Sequence, residues 1–332
     1  MLTEKHLREN PLLIKAFMGL PAAVFWQVVA DMTSKLPAYE LKRLDREERQ
    51  RDVGGGRRFD LPLVIRIALV LTYLRLHIPQ QVVACMYKNA TQSDVSRDLR
   101  RLLPLLKQVL PCPEVWEMVE EGAELSEAEL LTLEHLADGL VLLDATEQQV
   151  YRPGKSNEER LKFFSGKRKQ FTRKTQLAAD GQHHIAAISV SVPGAKSDIK
   201  LSDEVGTVER LPDDCEAQAD KGYQGLDKRV GLVTVQDAET GEQKQVPRLI
   251  VKTPIKKPKG GELNVAQNAY NRAIGQVRVR VEHCIGWVKN WAIIATRFRC
   301  AHSIYTEVMQ VVCGLVNLQT QRWQAAKNQT AG

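Results

Sequence analysis

The 332-residue sequence predicts an α/β domain of mixed sheet covered by helices, preceded by an all-α region. Three observations predict it. Residues 11–110 carry apolar side chains at helical spacing without a strand pattern. Three runs rich in branched or alternating residues, GLVLLD, FTRKTQLAAD and HHIAAISVSV, follow between Gly139 and Val192, and Asn264–Trp291 keeps a 3.6-residue repeat far longer than any strand. At 43% hydrophobic and 26% charged residues the composition is that of a globular protein, which excludes collagen, coiled-coil fibres and a disordered chain. Every apolar run is interrupted before the ~20 residues that span a bilayer, and MLTEKHLREN has no apolar signal core, so a cytoplasmic location is expected. Six cysteines stand apart without a Cys-x-x-Cys pair and are expected as buried thiols.

In chain order, residues 1–60 predict helices at PLLIKAFMGL and PAAVFWQVVADM, then a charged stretch Glu40–Arg58 with a break at Gly54-Gly55-Gly56. The apolar faces of these helices make residues 1–60 the candidate for self-association. Residues 61–110 predict three helices with a tight turn before the last. Pro62 lies in the first turn of Leu61–His77, Pro79 opens a second helix through Tyr87, and Lys88-Asn89-Ala90 makes the turn. Thr91 and Asp94 have the spacing of a capping box, which starts the third helix. Val95, Leu99, Leu102 and Leu103 share its apolar face, leaving Gln92, Ser93, Ser96, Arg97, Arg100 and Arg101 outward. That is the layout of a helix-turn-helix recognition helix, with short polar side chains for base edges and arginines for phosphates.

Residues 111–139 show no strand signal and are expected to form an acidic helical linker or lid. Residues 140–325 are the expected sheet domain. Its three meandering strands include a hairpin at Asp180-Gly181, then come a helix over Ile199–Arg210, short strands at CEAQAD and LIVKT, the long helix Asn264–Trp291, and a last helix over Ile304–Trp323. Charge is unevenly spread. Lys plus Arg exceed Asp plus Glu by 47 to 40, eleven carboxylates and no Lys or Arg occupy Glu114–Glu147, and nine basic residues against two acidic ones follow in Arg152–Lys174. A second basic stretch, RLIVKTPIKKPK at 248–259, has five positive charges. The balance favours an anionic partner, with the acidic segment expected to shield the basic path.

Three carboxylates suggest chemistry. Asp144 and Asp220 each close an apolar strand, where α/β folds place their sites. Glu282 lies at the margin of the buried stripe of the long helix, with Arg278 and Lys289 on its own face. Carboxylate oxygens suit hard Mg²⁺, and two such ions can drive an in-line phosphoryl transfer. His183 and His184 read as surface polar residues of the hairpin.

LLDATEQQVYRP, FSGKRKQFTRKTQLAADG, ADKGYQG and RVRVEHCIGWVK, in this order, resemble the DDE-type transposases of bacterial insertion sequences related to the eukaryotic Harbinger group. The resemblance covers residues 61–320. It implies an RNase H-like catalytic domain in which Asp144, Asp220 and Glu282 are the catalytic metal ligands, with two Mg²⁺ ions for which Mn²⁺ can substitute. It implies cutting of the element's ends by water and attack of the exposed 3′-hydroxyl on target DNA. The helix-turn-helix would read the terminal inverted repeats, and Lys167, Arg168, Lys169, Arg173 and Lys174 would hold DNA backbone. Arg278, Glu282 and Lys289 meet the family's arginine–glutamate–lysine pattern, whereas Gly275 stands where many relatives have tyrosine. Ser197-Asp198 matches a polar–Asp pair after the third strand, with Asp198 expected as a helix N-cap or, as the alternative, a secondary active-site residue. The partners implied are double-stranded DNA and at least one further copy of the chain, at the nucleoid. A silent DNA-binding regulator and a cellular DNA nuclease of the same fold remain the alternatives.

Overall fold

A computed structural model describes residues 1–45, 59–120, 124–136, 138–154, 156–236 and 242–331. The expected break at Gly54-Gly55-Gly56 and most of the charged stretch before it lie outside these residues. The chain divides into two compact units, Met1–Cys112 with Val288–Gly332, and Pro113–Trp287. The stretch 140–325 is thus divided within its long helix.

The helical unit opens with α1 (Glu4–Glu9), α2 (Pro11–Met18) and α3 (Ala22–Leu44), followed by α4 (Leu63–Leu76), α5 (Gln80–Met86) and α6 (Gln92–Val109). Every residue of α4 from Ile65 to Leu74 is buried, so α4 is the axis around which the others pack. The apolar faces of the first helices are spent inside this unit: Leu7, Ile14, Met18, Phe25, Val28 and Met32 are all buried. Leu12 on α2 and Leu41 on α3 stay exposed. Pro62 and Pro79 cap α4 and α5, where a missing N–H costs nothing. Asn89 takes up the left-handed conformation in the turn before α6. Both hydrogen bonds of the capping box form, Asp94 N–H to Thr91 Oγ1 at 3.2 Å and Thr91 N–H to Asp94 Oδ2 at 2.9 Å.

The second unit contains, in order, β1 (Glu114–Trp116), β2 (Leu140–Gln149), α7 (Asn157–Phe163), β3 (Phe164–Ser165), β4 (Gln170–Ala179), β5 (Ile185–Ser189), β6 (Val192–Pro193), α8 (Asp198–Glu204), α9 (Thr207–Arg210), β7 (Glu216–Ala219), β8 (Leu232–Gln236), β9 (Gln243–Pro247), β10 (Ile250–Lys252) and α10 (Val265–Lys289). Then α11 (Ala292–Ala295) and α12 (Tyr305–Ala331) complete the helical unit, where Asn317 donates to the Pro111 carbonyl. The main sheet has the order β1-β5-β4-β2-β7-β10. β5, β4 and β2 form an antiparallel meander, and β7 and β10 run parallel to β2. It is the mixed sheet that the strand pattern predicts.

The segment 111–139 departs from expectation. Glu114–Trp116 is an edge strand parallel to β5, and Trp116, Leu131 and Leu136 belong to the same core as Val141, Leu143 and Ala217. Buried Arg210 on α9 ties the segment down by donating to the Glu129 and Glu117 carbonyls at 3.2 and 3.4 Å. The acidic segment is therefore part of the sheet unit, not a helical linker. The helix expected over Ile199–Arg210 breaks at Gly206, which has φ 58° and separates α8 from α9. The exposed β8–β9 hairpin, paired from Leu232↔Pro247 to Gln236↔Gln243, was not expected at all.

Candidate active site

Asp144 and Asp220 come together through strand register. β2 and β7 are paired in parallel as far as Leu143↔Ala219, so the two aspartates are the next residues on neighbouring strands, which lie about 4.8 Å apart. β2 does not end there. It continues to Gln149 against β4 alone, so Asp144 closes the β2/β7 pairing rather than the strand itself. Asp220 leaves its strand as the cap of a short 3₁₀ turn, its carboxylate accepting from the Lys221 N–H. Asp144 Oδ1 accepts from the Ala145 N–H at 2.8 Å.

Glu282 reaches the same place from α10, whose stripe of Ile274, Val281, Cys284 and Val288 is buried. The three acids converge on one guanidinium. Arg278 Nη2 lies 3.5 Å from Asp144 Oδ2, and its Nη1 lies 3.9 Å from both Asp220 Oδ1 and Glu282 Oε1. Burial pushes the Asp144 carboxyl up to about 6; the Ala145 N–H and Arg278 oppose the rise, and Asp220 and Glu282 add to it. Arg278 is only 7% exposed, so in this arrangement it faces the acids and not solvent.

A second layer supports the turn that carries Asp220. Asp198 is not the N-cap of α8; Ser197 holds that position, and Asp198 is the first helical residue. Its carboxylate accepts from Lys174 Nζ at 2.6 Å, and Lys174 also donates to the Lys196 carbonyl at 2.6 Å and lies 3.7 Å from Glu147, its cross-strand partner. The carboxylate sits so close to Gly222 that a Cβ there would meet Asp198 Oδ2 at 2.4 Å. Tyr223, in the same turn, is fully buried, and its hydroxyl has no partner among the described residues. Burial, and then Asp198, Asp144 and Asp220, hold its phenol well above the usual range.

A family model described as DDE superfamily endonuclease matches residues 143–317, more than half of the chain. The chain belongs to this superfamily. A probable transposase for insertion sequence element IS702 from Microchaete diplosiphon is 31% identical to it over 182 residues, which cover 55% of this chain and 58% of that protein. As a DDE superfamily endonuclease the chain has an RNase H-like α/β fold in its sheet unit, and the superfamily generally uses divalent metal ions. The donor chemistry fits such ions, because Asp144, Asp220 and Glu282 offer only oxygens. The spacing does not yet do so: among the described residues no three His, Cys, Asp or Glu side chains are gathered tightly enough to hold a metal ion.

The other residues that the sequence singles out fall into two groups. Lys167, Arg168 and Lys169 are exposed in the loop between β3 and β4, as are Gln92, Ser93, Arg97 and Arg100 on α6. Ser96 is half-buried, and Arg101 is half-buried with its guanidinium 5.2 Å from the Phe59 ring. Lys174 is a correction: at 6% exposure and held by Asp198, it is part of the interior and not a surface cation for DNA. Arg173 donates to the Ser191 carbonyl at 2.5 Å. Lys289 ends α10 beyond the division between the units. Of the second basic stretch, Arg248 pairs with Asp213, Lys252 with Glu216 and Lys257 with Glu262, and Lys256, Lys257 and Lys259 are exposed. His183 and His184 are not surface residues but half-buried, and His183 stacks on His283 with ring centroids 5.7 Å apart. Cys85 is exposed, against the expectation of buried thiols, while Cys215, Cys284 and Cys313 are buried. Among the described residues no single helix is long and apolar enough to cross a membrane.

Sequence reasoning missed the Lys174–Asp198–Gly222 support. The signals were present in Ser197-Asp198 and in the glycine of ADKGYQG, but nothing local connects them.

Proposed function

We propose that this chain is a transposase that binds the terminal inverted repeats of an insertion sequence, cuts the ends by hydrolysis and joins the freed 3′-hydroxyl to target DNA. The observation that carries the reading is the convergence of Asp144, Asp220 and Glu282, from two adjacent strands and one helix, on a single cationic point. Bound divalent ions, Mg²⁺ with Mn²⁺ as substitute and two of them by the family pattern, would supply activation of the attacking oxygen and charge neutralisation at phosphorus. Asp144 and Asp220 would hold them from the rigid sheet side, and Glu282 from α10.

In the first step a water oxygen bonds to phosphorus as the bond to the 3′-oxygen breaks, leaving a 3′-hydroxyl and a 5′-phosphate. In the second that hydroxyl loses its proton and bonds to a target phosphorus as the target's own 3′-oxygen departs. Lys167, Arg168 and Lys169 stand ready to hold backbone phosphates. The α5–turn–α6 element, with Gln92, Ser93, Arg97 and Arg100 outward, would serve as the helix-turn-helix that reads bases. Two ends must be paired for joining, which calls for at least two copies on DNA at the nucleoid.

The test uses labelled DNA carrying the element's ends, with and without Mg²⁺. Joined products should need the metal and fall about 10³-fold or more in Asp144→Ala, Asp220→Ala and Glu282→Ala while DNA binding persists. End-specific binding without cleavage under any metal would make the chain a regulator instead, and cutting without joining would make it a nuclease.

A further inference from the structure

Arg278 stands where a metal ion would be expected. Its guanidinium is within 3.5 to 3.9 Å of one oxygen of each of the three acids. None of these contacts is a hydrogen bond, since N–H···O bonds lie between about 2.7 and 3.2 Å. Arg278 Nε is buried and has no partner among the described residues. The side chain is therefore held by shared Coulomb attraction, not by a fork locked onto one carboxylate. Three acids crowded at the strand ends and the helix would repel one another without a cation between them, and arginine supplies one that cannot be neutralised by losing a proton.

We propose that Arg278 is a built-in counter-cation that holds the three carboxylates in place before divalent metal binds and is displaced when it does. The proposal rests on the reading of Asp144, Asp220 and Glu282 as metal ligands. A divalent ion carries twice the charge and approaches oxygen to about 2.0–2.1 Å for Mg²⁺, so it wins the carboxylates from a guanidinium standing at twice that distance or less. The exchange turns the loose cluster into a ligand set. It also frees an arginine beside the reacting strand, where its planar fork suits a phosphate.

The test measures Mn²⁺ binding to the full chain, without DNA, by titration followed by paramagnetic resonance. Arg278→Gln removes the competing charge and should bind Mn²⁺ at least ten-fold more tightly than the parent, while Asp144→Asn should lose the binding. In the parent itself, Arg278 should react with phenylglyoxal faster when Mn²⁺ is bound, as located by mass spectrometry; this second measurement does not depend on any variant folding. Equal or weaker Mn²⁺ binding by Arg278→Gln, or an Arg278 no more reactive with Mn²⁺ than without it, overturns the counter-cation while leaving the carboxylate site intact. Absence of Mn²⁺ binding in both chains, or binding indifferent to Asp144→Asn, overturns the metal-ligand reading and this proposal with it.

Discussion

Among the buried arginines, Arg66 in the helical unit and Arg278 in the sheet unit are paired in opposite ways. In the helical unit Arg66 on α4 grips Asp98 on α6 with Nη2 at 2.6 Å and Nε at 2.9 Å from the same oxygen, and its guanidinium lies 3.6 Å from the Phe59 ring centroid. In the sheet unit Arg278 touches three acids and hydrogen-bonds to none. The first arrangement satisfies both partners and fixes the position of two helices. The second leaves an excess of negative charge and long contacts, which is how a structure keeps a charge exchangeable. Short, closed pairing marks architecture here, and long, divided pairing marks a site.

The comparison can be broken by mutation. The largest effect should come from Arg66→Ala, which strands the Asp98 carboxylate in the interior and should cost about 3–5 kcal/mol in denaturant unfolding, whereas the double change Arg66→Met with Asp98→Leu should recover most of it. A double variant as unstable as the single one would mean that the pair contributes more than mutual neutralisation. Lys174→Met should cost about 2 kcal/mol, because Asp198 retains some solvent and loses one charge-assisted bond and not its whole environment. The same variant should slow cleavage if the Asp198 support positions the Asp220 turn; full activity would show that Gly222 and Tyr223 hold that turn unaided.

Smaller effects test the outer frame. Thr91→Ala removes one half of the capping box at the start of α6 and should cost about 1 kcal/mol, read from the denaturation midpoint. His77 gives a pH signature. Burial, with Arg299 nearby, pushes its imidazole down to about 4, while Nδ1 bonds Thr296 Oγ1 at 2.8 Å. Folding keeps the ring neutral, so unfolding takes up a proton between the ordinary value of 6.5 and 4, and stability should fall as pH drops through that window. His77→Asn, which tolerates the same left-handed backbone, should flatten the slope; an unchanged slope would assign it to other groups.

Much of the site was legible because its signals are local. The apolar run ending in Asp144, the ADKGYQG turn and the buried stripe beside Glu282 each announce themselves within ten residues or so of sequence. The capping box at Thr91 is equally local, and it places the start of α6 to the residue. Lys174 was misread because basic neighbours make it look like a surface cation, and only Asp198 and Glu147, brought beside it by folding, decide otherwise. β1 was invisible for a related reason: three residues carry no periodicity, and their partner β5 is some seventy residues away. Arg278 looked like a DNA contact because helical spacing shows which residues share a face, not what stands opposite.

The sequence by itself determined the helices of residues 61–110 with the capping box at Thr91, and the strands of the meander, and it singled out the three acids, since these follow from side-chain periodicity and backbone preference over short spans. The tertiary structure alone decided that the last helix joins the N-terminal ones, that the acidic segment closes the edge of the sheet, and that one arginine sits among three carboxylates. Those outcomes depend on which distant groups folding brings against buried side chains such as Arg278. There a charge must find a partner, and the partner is chosen by packing.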